Sequence, residues 1–366
     1  MQEVQSAIQI KKNFDFVDTI RCLSMIGIVF EHTEVFGSAN YVSFYTSLLQ
    51  ASVLQFFKFA TVAFFLIAGF LINHKFTEYT PWQYLKNRFK STIGPWAFWI
   101  NVLILIDIIN LLFIAYFKYN GERHMPSPFA DYLISSYYYI ITETSFWFIL
   151  NFLICIGILL LFKRFIYNKI FGVLLGLTSL FYSINLYHGW IRTRHTTALF
   201  GFVFFLWLGA YMNKHSEILF NFIKKISFIW LTGITIVLFI MSDLEIIYLK
   251  SIGMEDAYNT LRVSNILYSL SFFLILLKVG SIPSVNRIFQ PRNTTFGIYL
   301  IHPIIILHFL DAIFRPFHWH AEGMTAIGAI AYSALRFGVT YLISILIVRG
   351  LLVTKLRWTI GSSVRN

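Results

Sequence analysis

Apolar residues recur along the chain in ten long stretches separated by short polar connectors: residues 14–36, 48–72, 93–117, 145–162, 170–186, 199–212, 226–241, 261–277, 294–310 and 326–353. A helix rises about 1.5 Å per residue, so about 20 apolar residues cross a hydrocarbon layer of about 30 Å. The stretches approach or reach that length, the sixth and seventh being short. The pattern predicts an all-α polytopic membrane protein: a bundle of about ten transmembrane helices with its helical core at 14–353. No segment has the composition of a separate soluble domain, so one transmembrane domain over 1–366 is expected.

Composition agrees with a lipid solvent. The chain is 57% hydrophobic and 13% charged with a mean hydropathy of +0.68, whereas soluble domains carry about 25% charged residues. Phe (40) and Tyr (20) suit lipid-facing surfaces and headgroup belts. The polar start carries Lys11 and Lys12 and runs into an apolar stretch too long for a cleavable signal, which predicts a retained first helix and a cytoplasmic amino terminus. Ten helices then leave 19 of the 29 basic residues in cytoplasmic segments against seven opposite: Lys118, Arg123, Arg192, Arg194, Lys250, Arg262 and Arg315. That asymmetry obeys the positive-inside rule and puts both termini in the cytoplasm.

The net charge of +12 does not point to nucleic acid, because the basic residues lie in connectors and not in an aqueous domain with stacking aromatics. Cys22 and Cys155 fall inside apolar stretches and read as core residues. His318 and His320 lack a third suitably spaced ligand, so no metal site is expected.

Three basic residues, Arg21, Lys58 and Arg336, lie inside or at the edge of apolar stretches. Ionisable groups in a bilayer are costly unless they pair, snorkel or line a wet cavity. Lys58 and Arg336 could pair with Glu31, Glu34, Glu143 or Asp311. On the first stretch, Arg21 and His32 are eleven residues apart, which on a helix brings them within about 20° of one face and about 16 Å apart along the axis. Asp18, three residues before Arg21, lies near the same face and could neutralise it. Asp18 and Arg21 read either as an interfacial ion pair or as part of a site in which Arg21 fixes an anionic group. His32 reads as a polar residue of the headgroup layer, or as a base or acyl acceptor, since imidazole titrates nearest neutral pH. Glu31 and Glu34 flank it and could tune it, although Glu31 points about 100° away. His302 precedes Pro303, which removes a backbone donor and kinks a helix, so it reads as a partner for freed carbonyls or as a second functional imidazole.

The pattern Asp18-x-x-Arg21, ten residues, His32 resembles the opening motif of the acyltransferase 3 family, membrane enzymes that modify carbohydrates with acetyl or other short acyl groups. Further segments follow in the family's order. Phe64-Phe65 and Gly69-Phe70 are similar to its phenylalanine pair and Ser-Gly-Phe, with Ala68 where serine is usual. Lys86, Arg88 and Lys90, followed by Pro95, resemble its basic loop. Phe146-Trp147 resembles its tryptophan-led helix, Phe205 to Gly209 its sixth-helix glycine segment, and Tyr299-Leu-Ile-His302-Pro303 its Tyr-Leu-x-His-Pro segment.

The resemblance implies transfer of an acyl group, acetyl from acetyl-CoA foremost, to a hydroxyl of a cell-surface or lipid-linked carbohydrate, with acyl-CoA as donor and no permanently bound cofactor. It implies a multi-pass protein of a bacterial cytoplasmic membrane, partnered by the lipid bilayer and the saccharide acceptor. His32 is implied as general base or transient acyl carrier, with Arg21 and Asp18 supporting the donor or the helix geometry. Arg88, Lys90 and Lys86 would hold the phosphates of coenzyme A, where Arg grips bidentately and Lys acts as a point charge. Glu34, His302 and Tyr299 are further candidates. The rival expectation is a transporter or flippase of a lipid-linked saccharide, in which the intramembrane charges line a pathway and no bond is made.

Overall fold

A computed structural model describes residues 14–35, 43–118, 128–191, 198–319 and 321–362. Lys11, Lys12, Arg123, Arg192, Arg194 and His320 lie outside them. Every regular element among the described residues is helical.

Helix α1 (Asp15–Thr33) is followed by α2 (Phe44–Phe57) and α3 (Phe59–Glu78), which are interrupted only at Lys58. Thr80 and Gln83 form a capping box that starts α4 (Pro81–Arg88), and a π turn (Phe89–Ile93) leads into α5 (Gly94–Phe113). The pair α6 (Phe129–Glu143) and α7 (Trp147–Leu161) is bent by 70°. Next come α8 (Lys169–His188), α9 (Leu199–Lys214), α10 (Ser216–Lys225) and α11 (Phe228–Ser251). Helices α12 (Val263–Val279) and α13 (Pro283–Phe289) are bent by 99°. Helix α14 (Pro291–Ile304) carries Pro303 inside it and continues as a π turn (Ile305–Leu310) and α15 (Asp311–Phe314). Helix α16 (Ala326–Leu352) ends the bundle, and a 3-10 turn (Lys355–Ile360) packs back on it.

Among the described residues, six helices are long and apolar enough to cross a membrane, and up to eight crossings result if each bent pair counts as one. The two of the ten expected stretches outside that number are α1 and α9. Both are central, and their sequences say why they escape a length-and-apolarity criterion. Helix α9 has only 16 residues. Helix α1 carries Asp15, Asp18, Arg21 and Glu31, but protein replaces lipid around it. Its Val17 and Ile20 belong to one buried cluster with α3, α7, α9 and α12, while Met25 and Val29 belong to a second with α5, α7, α14 and α16. A helix enclosed by protein can hold charges that a lipid-facing helix could not.

The centre is tight because two glycines face each other's backbones. A Cβ on Gly69 of α3 would stand 2.0 Å from the Leu206 carbonyl oxygen, and one on Gly209 of α9 would stand 2.1 Å from that of Leu66. Small residues at such crossings let helices approach where no hydrophobic drive exists between apolar surfaces in lipid. Both cysteines are buried thiols outside any disulfide, and Cys155 Sγ donates to Asn151 Oδ1 at 3.1 Å.

Candidate functional site

Helix α1 presents polar groups at its two ends. At the amino-terminal end, Asp18 is buried and accepts Arg21 Nη1 at 2.7 Å on one oxygen and Arg292 Nη2 at 2.9 Å on the other. The first partner is its own (i, i+3) neighbour; the second comes from the start of α14 and has no proximity in sequence to betray it. Thr19 Oγ1 donates to Asn286 Oδ1 at 3.1 Å and accepts the Ile282 amide at 2.9 Å, which fastens α13 over this end of α1.

At the carboxy-terminal end, His32 is exposed to a cavity of about 930 Å³. The cavity is walled by the end of α6 and the bend at 142–145, Trp147 of α7, Asn185 near the end of α8, the loop at 253–256, and His302 to Leu307 of α14 and its π turn. The rings of His32 and His302 are 5.5 Å apart with planes inclined by 31°. His302 is 0% exposed, and its Nδ1 lies 3.1 Å from the Ile298 carbonyl. A carbonyl only accepts, so Nδ1 carries the proton and Nε2 keeps a lone pair. That Nε2 has no hydrogen-bond partner among the described residues. Tyr299, one turn from His302 on the same helix, donates its hydroxyl to the Ser145 carbonyl. It thereby ties α14 to the α6–α7 bend and shapes the cavity wall.

The three intramembrane cations that the sequence isolates now have partners. Arg21 pairs with Asp18, Lys58 with Glu31, and Arg336 with Asp311 at 3.1 Å while its Nε donates to the Thr33 carbonyl at 3.2 Å. All three therefore act on α1. Glu34 ends α1, its amide bonded to the Phe30 carbonyl at 3.1 Å, and lies in the field of Lys250 and of Tyr258 in the 252–262 connector. Burial first, and Glu34's charge second, push the Tyr258 phenol up.

The basic trio, Lys86 and Arg88 on α4 and Lys90 in the following π turn, is divided. Lys86 and Lys90 are exposed, whereas Arg88 turns inward, with Nε on the Tyr84 hydroxyl at 2.8 Å and its guanidinium 5.1 Å over the Tyr84 ring. The following π turn shares an end of the molecule with α14, because Ser91 and Phe296 both abut Gly361. None of the trio lines the cavity at His32.

Two poles on one buried helix, a cavity at one and a doubly bridged carboxylate at the other, give the opening motif a three-dimensional meaning. Residues 14–349 match the sequence profile of the acyltransferase 3 family, described as an acyltransferase domain. The chain belongs to the acyltransferase 3 family. No curated protein and no solved structure matches it. Membership makes this a multi-pass membrane acyltransferase, and of the segments that resemble the family, those on α3 and α14 pack directly on α1. The Phe64 to Phe70 segment and the Phe205 to Gly209 segment form the glycine crossing behind it, and Trp147, Tyr299 and His302 build the cavity in front of it.

One connector residue departs from its expected setting. Arg262, counted among the seven basic residues opposite the cytoplasm, is 0% exposed at the start of α12. It donates to the Ser242 carbonyl at 2.8 Å, to Gln55 Oε1 at 2.6 Å and to the Asn259 carbonyl at 3.1 Å, with Glu245 3.8 Å away. Asn259 Nδ2 in turn donates to Asp256 Oδ2 at 2.8 Å, so the buried guanidinium anchors the loop that walls the cavity. The polar residues around it, Asn259-Thr260 just before the eighth apolar stretch and Ser264-Asn265 within it, are buried beside that charge.

Proposed function

We propose that this acyltransferase moves an acyl group, acetyl from acetyl-CoA foremost, onto a hydroxyl of a cell-surface or lipid-linked carbohydrate, with His32 as general base. The observation that carries this reading is the exposure of His32 to a roomy cavity lined by polar groups from four other elements. A cavity of several hundred Å³ with a few convergent polar groups suits a small-molecule or sugar-sized ligand.

In this reading His32 takes the proton of the acceptor hydroxyl as its oxygen bonds to the thioester carbonyl carbon. The carbon–sulfur bond then breaks, and the proton passes from the imidazole to the leaving thiolate, giving the ester and free coenzyme A. The donor's phosphates belong at the other pole. Lys86 and Lys90 are the exposed cations of the α4 segment, and Arg21 and Arg292 share Asp18 at the start of α1. Arg88 serves Tyr84 and supports the segment from within. About 16 Å of helix separates Arg21 from His32, so one extended donor joins the two poles and Arg21 does not touch the reacting carbonyl. In this reading the bundle sits in a bacterial cytoplasmic membrane, with Lys86 on the inner side and the cavity on the outer side, an orientation that the positive-inside rule favours.

The test uses membrane vesicles containing the full chain, given radiolabelled acetyl-CoA on the Lys86 side. Wild type transfers label to envelope saccharide. His32→Ala loses about 10²–10⁴-fold, the usual contribution of a positioned base. Equal transfer by the two proteins refutes the reading.

A further inference from the structure

Three residues around His32 are held from outside α1, one by Lys58 between α2 and α3 and two by α16. Lys58, 7% exposed, donates its ammonium to Glu31. Arg336 of α16 donates to the Thr33 carbonyl at 3.2 Å. The Val35 amide donates to Ser333 Oγ at 3.1 Å, also from α16. The last four carbonyls of a helix have no intrahelical donor, so a last turn frays unless something outside the helix holds it. His32 lies in that turn and its ring meets the open cavity.

Lys58 reaches Glu31 because of where it breaks the second apolar stretch. Residues Phe44–Asn73 form one apolar run, interrupted only at Lys58, whose amide bonds the Gln55 carbonyl at 3.1 Å in place of an (i, i−4) partner. A lysine near a membrane surface ordinarily extends its ammonium to the headgroups. This one is turned into the protein, against the residue before the imidazole.

Resting on the reading of His32 as the base, we propose that Lys58 is a positioning residue for the reaction. Its pair with Glu31, backed by Arg336 on the Thr33 carbonyl, sets the orientation in which the His32 imidazole meets the acceptor hydroxyl. Lys58 touches neither substrate. Its removal leaves donor binding intact and misdirects the imidazole, and a displacement of about 1 Å lowers turnover about 10²-fold.

The experiment compares full-length wild type, His32→Ala, Lys58→Met, Lys58→Arg, Glu31→Gln and the double exchange Glu31→Lys with Lys58→Glu. Initial rates of label transfer from acetyl-CoA to envelope saccharide are measured per mole of enzyme in membranes. Lys58→Met and Glu31→Gln should each lower the maximal rate about 10- to 100-fold with the KM for acetyl-CoA unchanged, and both Lys58→Arg and the double exchange should recover most of it. If Lys58→Met fails to accumulate, Glu31→Gln and the double exchange carry the same comparison. Wild-type rates in Lys58→Met or Glu31→Gln, beside an inactive His32→Ala, overturn the positioning role alone. The same holds if the KM rises in place of a fall in rate, or if the double exchange stays as slow as the single variants. Activity retained in His32→Ala overturns the underlying reading instead.

Discussion

Asp18 holds two guanidinium groups with its two oxygens, and the burial of the three groups decides what each contributes. Arg292 is 57% exposed while Asp18 and Arg21 are largely enclosed. Arg292→Ala removes a largely solvated partner and should change stability by about 1 kcal/mol or less. Asp18→Asn strands Arg21 inside the bundle and should cost about 3 kcal/mol. Thermal unfolding of the solubilised protein checks that order, and equal melting of the two variants contradicts it. The inner pair was legible in the sequence because an (i, i+3) spacing is local. Arg292 was not, since it comes from a helix 274 residues away. Lys58 and Arg336 announced themselves as costly intramembrane cations, yet their partners depended on packing that a single sequence does not specify. Arg88 differs from Lys86 in a way that charge alone does not reveal: its Nε donates to the hydroxyl of a tyrosine one turn earlier.

Among elements, the crossing of α3 and α9 is the one that the sequence encodes most sharply. Gly69 and Gly209 each lie against the other helix's backbone carbonyl, 2.0 and 2.1 Å from where a Cβ would stand, and no side chain can move aside to relieve that contact. Gly69→Val or Gly209→Val should force the helices apart and cost about 1–3 kcal/mol or more. Gly157→Val, where nothing lies within 4 Å, should leave folding unchanged. Size-exclusion profiles and melting of the three variants test this, and equal tolerance at Gly69 and Gly157 would count against the crossing. The helical stretches were readable from apolar periodicity. The breaks were not: Lys58 interrupts a run that remains apolar on both sides, and the 70° corner between α6 and α7 follows a helix, Phe129–Glu143, that lies outside the ten apolar stretches.

The whole molecule is organised around a helix that is too charged to face lipid. Hydropathy and loop charge led to ten crossings with both ends inside; length and apolarity in the structure support six to eight, and α1 and α9 lie within the shell those helices make. The orientation predicts which faces are accessible. In a variant with Lys86→Cys, a membrane-impermeant thiol reagent should label only from the cytoplasmic side; with Ser251→Cys it should label only from the outside, the native Cys22 and Cys155 being buried. Labelling of both positions from one side would break the proposed topology. Family membership establishes an acyltransferase, and the central claim beyond it is that the imidazole at the outer end of α1 performs the transfer. The most direct measurement is the mass of surface glycans from a strain lacking this protein, complemented with wild type or with His32→Ala at equal membrane levels. Wild type should restore a mass increment of one acyl group per modified unit and His32→Ala should not; restoration of that increment by His32→Ala contradicts the account.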